Sequence, residues 1–435
     1  MKKLLVVLLS LGLIVGLAMT ASAQPTVRFS GEYYVTGQFE SNRAFRGQDE
    51  TSLANFWTRT RLQARFTVAE GLSFTARIDA LERQWGNNAN TTAYWGDRTN
   101  SQNVTAGRPM QENIEMEHGY VTFKTQVGQF DIGYQAAGTW GTGFGDEPVS
   151  RPRVKLTTPM GPFTLLAIFE NRINNDNFAA ADRDQYFLAG IYKFKGGDAG
   201  LLLGYGVGND NRPVGNFKTR VYSITPYWKA TFGPVYTEGE FQYIGGKVRD
   251  YEIAGQQNID KVGYGAYALA KMNFGPAYAG ASFGYSSGDD PDTADKDESG
   301  TFSSTSWSPG IIFGDANYKT WVGGSNPGSA NGAAYNNSLK QNLWALNAFG
   351  GYKVTPKLNL DMQFWYLRAD KSPRNYVSKN YGMELDFTAT YKIYDNLSYM
   401  VGAGYFWTGD YFKGTSESHK VGNDYVLLNK LTLNF

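Results

Sequence analysis

From Val27 onward, apolar or aromatic residues alternate with polar ones over segments of about ten to sixteen residues. Val27, Phe29, Gly31, Tyr33, Val35, Gly37 and Phe39 form one face of the first segment. Arg28, Ser30, Glu32, Tyr34, Thr36, Gln38 and Glu40 form the other. A period of two over fourteen residues predicts a strand and not a helix. Eight compact turns separate such segments: Glu70-Gly71, Val127-Gly128, Gly161-Pro162, Gly196-Gly197-Asp198, Gly233-Pro234, Gly275-Pro276, Pro356-Lys357 and Asp395-Asn396. Nine longer polar stretches lie between them, at about 42–53, 86–111, 137–150, 174–183, 209–216, 248–258, 287–338, 371–379 and 410–421. Seventeen connections join eighteen strands, with sixteen as the alternative count. Short turns on one side and long loops on the other predict an all-β chain, a transmembrane antiparallel β-barrel.

Lipid cannot satisfy charge, so charged residues within strands are expected to face the lumen. Over 56–68 this turns Phe56, Thr58, Thr60, Leu62, Ala64, Phe66 and Val68 to lipid, and Trp57, Arg59, Arg61, Gln63, Arg65 and Thr67 inward. Over 72–80 it turns Ser73, Thr75, Arg77 and Asp79 inward. Arg151, Arg153 and Lys155 share a further inward face. A basic pore wall of Arg59, Arg61, Arg65, Arg77, Arg151, Arg153 and Lys155 is the expectation. Glu238 and Glu240, and Glu384 and Asp386, alternate with apolar neighbours. They are expected to line a different arc of the pore, so that opposed charges set up a transverse field favouring polar and ionic solutes.

Composition narrows the class. The 435-residue chain has no cysteine, two histidines, and 41 Lys+Arg against 40 Asp+Glu. Disulfides, thiolate metal sites, iron–sulfur clusters and covalent haem are therefore excluded, and no basic footprint for nucleic acid is present. Two scattered histidines supply no Ser/His/Asp set, so no enzyme activity is expected. No metal site is expected either, since strand alternation separates His118 from Glu115 and Glu117. No cofactor is implied. Lys2 and Lys3, the apolar run Leu4–Met19 and Ala21-Ser22-Ala23 read as a signal peptide over 1–23, cleaved to leave 24–435 as the barrel.

Two stretches carry a resemblance. The run His118–Gln135 is similar to the strand–turn–strand hairpin of Gram-negative porins, with Tyr134 where that family has Arg. Residues 141–148 look like a short form of the third outer loop of general porins. The resemblance would place Asp146 and Glu147 at a constriction opposite the arginine wall. Residues 284–290, with Phe302 and Phe313-Gly314, are similar to larger barrels, including alginate-export-type barrels of 18 strands. The last strand alternates to a terminal Phe435, which looks like the recognition mark of the outer-membrane assembly machinery.

The implied function is a porin passing small hydrophilic solutes and ions by passive diffusion. A channel selective for anionic or saccharide solutes, with Trp57 stacking on sugars, is the first alternative. A barrel housing a partner protein is the second. The resemblance further implies a homotrimer integral to the outer membrane, both termini periplasmic, in contact with lipid and lipopolysaccharide. In the long loop, Asp289, Asp290, Asp292, Asp295 and Asp297 are candidate cation ligands.

Overall fold

A computed structural model describes residues 25–42, 45, 47, 52–85, 114–146, 148–174, 182–211, 215–300, 306–314 and 341–435. The segment 1–23, Glu147 and the 315–338 part of the long loop lie outside the described residues.

The chain winds in sequence order through long strands. The first nine are β1 (Thr26–Glu40), β2 (Leu53–Ala69), β3 (Leu72–Gln84), β4 (Ile114–Thr125), β5 (Gly128–Ala137), β6 (Val149–Met160), β7 (Phe163–Asn174), β8 (Asp182–Phe194) and β9 (Gly197–Gly208). They continue as β10 (Phe217–Phe232), β11 (Val235–Tyr251), β12 (Ile259–Phe274) and β13 (Ala277–Ser286). A two-residue strand, β14 (Lys296–Asp297), lies in the long loop and pairs parallel with β12. The wall then resumes with β15 (Leu343–Lys353), β16 (Leu358–Arg368), β17 (Asn380–Tyr394), β18 (Leu397–Thr408) and β19 (Asp424–Asn434). Each wall strand pairs antiparallel with its predecessor, β13 passing directly to β15.

The sheet closes where β1 meets β19, with Tyr33 opposite Leu433 and Phe39 opposite Leu427. Backbone bonds between Gly31 and terminal Phe435, at 2.7 and 3.0 Å, complete the seam. The result is a closed antiparallel barrel of eighteen strands, and closure leaves no unpaired edge. All eight predicted turns occur at their expected places. Gly233 and Gly275 hold φ of +60° and +62°, which a side chain would resist, and the following proline cannot extend a ladder.

Alternation sets the two faces. Phe56, Leu62, Phe66, Val68, Leu72 and Phe74 are exposed on the outer surface, while Trp57, Arg59, Ser73, Thr75 and Asp79 between them are buried inside. The outer face continues as Leu346, Phe364, Phe387, Val401 and Leu427. Such a band suits lipid. The apolar core lies within the barrel: Phe144, Tyr267, Trp307, Ile311, Ile312, Phe313, Leu343, Trp365, Leu367, Tyr381, Phe406 and Phe412 form one cluster. Its members come from wall strands and from loops that turn inward.

Candidate channel lumen

Arg59, Arg61, Arg77, Arg153 and Lys155 lie on β2, β3 and β6 among carboxylates. Arg59 pairs with Glu32 at 2.8 Å and Glu82 at 3.5 Å, and its guanidinium lies over the Tyr34 ring. Arg61 grips Asp79 with both nitrogens, at 2.8 and 2.5 Å. Arg77 meets Glu117 at 3.2 Å, Arg153 meets Glu170 at 2.8 Å and Lys155 meets Asp131 at 3.0 Å. Antiparallel register brings these partners together, since Arg61 stands opposite both Glu32 on β1 and Asp79 on β3. Glu238, Glu240, Glu384 and Asp386 lie on β11 and β17, away from the arginines of β2, β3 and β6, while a second set of acids, Glu32, Asp79, Glu117, Asp131 and Glu170, pairs the cations within their own wall. Half-buried charges need this compensation. Sequence periodicity identified the cations and their face; the partners depend on strand register, which it does not fix.

Arg65 and Arg151 differ. Arg65 is exposed and donates only to Ser73 Oγ, at 3.4 Å. Arg151 is half-buried without an ion pair among the described residues. Trp57 is buried, which removes it as a stacking platform for sugars.

The acidic pairs face inward and hold loops. Glu240 on β11 is buried and accepts from Thr142 N at 2.8 Å, Thr142 Oγ1 at 2.9 Å and Gln242 Nε2 at 2.8 Å. This carries the loop after β5 across to β10–β12. By strand order that wall stands opposite the arginines of β2 and β3. Trp140 Nε1 donates to Thr225 O at 2.9 Å, and its ring meets Tyr227 edge-on. Phe144 stacks on Tyr267 with 7° between planes. Gly141, at φ +62°, and Gly145 lie so close to the wall that a Cβ at either would strike Tyr227 or Gln242. Asp146 accepts from Trp140 N at 2.6 Å, tying the loop's own turn. Burial pushes its carboxyl up to about 6, against the opposing pull of the Trp140 N–H and Lys229. Neighbouring Glu238 accepts from Tyr236 and Tyr267, at 2.6 and 2.9 Å.

Glu384 and Asp386 on β17 do the same for the long loop. Glu384 accepts from Ile312 N at 2.5 Å and Phe313 N at 2.8 Å; Asp386 accepts from Ile311 N at 3.2 Å. Three successive amides thus end on two buried carboxylates, and the side chains of Ile311, Ile312 and Phe313 enter the core. The two infolded loops touch where Ser306 N meets Asp146 O, at 3.4 Å. Sequence reading found these acids but not their loops, because Glu240 and Thr142 lie 98 residues apart and no local pattern links them.

At the loop rim, Asp290 pairs with Lys371 at 2.8 Å, Asp292 with Arg374 at 3.2 Å and Asp297 with Lys261 at 2.7 Å. The Lys371 hydrogen bond holds Asp290 below the usual carboxylate range. Asp289 accepts from Glu298 N at 2.9 Å. Asp295 accepts through its backbone oxygen from Asp260 N. The acidic run is thus spread over lysine, arginine and backbone partners. Among the described residues no His, Asp and Glu cluster of three is arranged to hold a metal.

The barrel has the fold of solved outer-membrane channels. Pseudomonas aeruginosa OccK8 (OprE) is similar over 94% of this chain and 98% of its own, at 14% identity and TM-score 0.54. P. aeruginosa OccK2 (OpdF), solved in complex with glucuronate, matches over 94% and 96% at 12% identity and TM-score 0.52. P. aeruginosa OpdK, solved with vanillate, matches over 94% and 99% at 12% identity and TM-score 0.52. No family model matches the chain, and no curated protein matches it.

Proposed function

We propose that this protein is a passive channel of the outer membrane, passing small hydrophilic solutes and favouring anionic ones. The observation that carries the reading is a closed eighteen-strand barrel with an apolar outer band and an ion-paired, arginine-rich inner wall. Such an interior suits water and solute, and the outer band suits only lipid. Among the described residues the infolded loops dock on β10–β12, across the barrel from the arginines of β2 and β3, and on β17. Two similar barrels were solved with vanillate and with glucuronate, both carboxylates. Inward guanidinium groups supply the matching chemistry here. No catalytic role is part of this reading. A homotrimer, periplasmic termini and delivery through Phe435 complete the proposal.

The test is single-channel recording of refolded protein under a KCl gradient, with Arg59, Arg61 and Arg65 intact or replaced by Ser. The expected result is a stable conductance whose preference moves toward cations in the variant, because Glu32 and Asp79 lose their partners. A folded barrel carrying no current would overturn the channel. Conductance with unchanged selectivity would remove the wall as its filter.

A further inference from the structure

Along the wall from β2 to β6, Arg59, Arg61, Arg77, Arg153 and Lys155 each have a carboxylate partner. Arg28 on β1, Arg65 on β2 and Arg151 on β6 do not, among the described residues. Arg28 and Arg65 are Cα partners across β1 and β2, on the same inward face, and both are exposed. Among the described residues neither makes an ion pair, and the terminal nitrogens of Arg65 make no hydrogen bond. Like charges placed directly opposite on a sheet repel and cost stability. Around them the inward positions are Ser30, Gln63, Thr67, Ser73 and Thr75, which offer hydroxyls and an amide but no carboxylate. The nearest inward acids along the strands, Glu32 and Asp79, are already held by Arg59 and Arg61. Terminal Phe435 is bonded through its backbone to Gly31 and forms no ion pair with Arg28.

The doublet lies at the turn end of the barrel, near Glu70-Gly71 and away from the infolded loops. Lys124, beside Gly71, adds a further exposed cation there. We propose that Arg28 and Arg65 form a binding site for a small oxyanion, the carboxylate or phosphate group of a solute, at the turn-side mouth of the lumen. This rests on the channel reading and extends it. Two guanidinium forks facing one space match the planar oxygens of such a group, and an anion between them removes their repulsion. Their inward orientation excludes lipid headgroups as the occupant.

The test adds inorganic phosphate to each side in turn while single channels carry KCl current. In the unmutated protein, block is expected at lower concentration from one side than from the other. In R28Q/R65Q the effective side should need roughly tenfold more phosphate. R65Q alone serves if the double variant does not assemble. Equal block from both sides, or a variant blocked as readily as the parent, would overturn the site. Current in KCl without phosphate reads the channel separately, so a conducting parent without sided block removes this site alone.

Discussion

A carboxylate stripped of water must find donors, and the inward acids find two kinds. Glu32, Asp79, Glu117 and Glu170 meet cations on adjacent strands. Glu240, Glu384 and Asp386 meet the backbone amides of loops. Asp146 is a loop acid meeting an amide within its own turn, with Lys229 of β10 and Glu240 of β11 as the charges facing it. Its carboxyl is raised from 3.8 to about 6, so the docked loop binds a proton more tightly than a free loop would. Docking is therefore firmest below the ordinary carboxylate range and weakens as pH rises through about 6. Ionisation also adds one negative charge to the infolded loop inside the barrel. Reversal potentials in a KCl gradient should show cation preference growing between about pH 5 and 7. Asp146→Asn should flatten that dependence. A variant that keeps the parent's pH profile would assign the change to another group.

At the scale of the strand, most of the fold was legible. Period two marks each segment, and the exclusion of charge from lipid fixes which face turns out, as Arg59 against Leu62 illustrates. Turn residues such as Gly233-Pro234 supplied the boundaries. What the chain hides is register and loop course. The pairing of Arg153 with Glu170 needs β6 aligned against β7, and Trp140 reaching Thr225 needs the closed barrel. Neither leaves a local trace. Outward positions allow a direct check. Leu346, half exposed on the lipid face of β15, should not tolerate charge: Leu346→Arg is expected to cost about 2–4 kcal/mol in vesicles. Denaturant titration of the lipid-inserted barrel reads the change, and a loss below about 1 kcal/mol would place that face away from the hydrocarbon midplane.

For the whole molecule, the wall and its contents are separable. Strand ladders close the barrel through β1 and β19 without help from any loop. The segment 306–314, by contrast, stays inside because its amides end on Glu384 and Asp386 and its apolar side chains fill the cluster around Phe406 and Tyr381. Replacing both acids by their amides keeps shape but removes the charge-assisted acceptors. Each lost bond costs about 1–3 kcal/mol of loop docking. E384Q/D386N should therefore retain the heat-resistant compact barrel on gels while the loop becomes a protease target and single-channel conductance rises. A variant with parental conductance and an uncut loop would show that apolar packing alone holds the segment. A variant that loses the compact barrel would tie these carboxylates to wall stability, and so deny the separation of wall from contents.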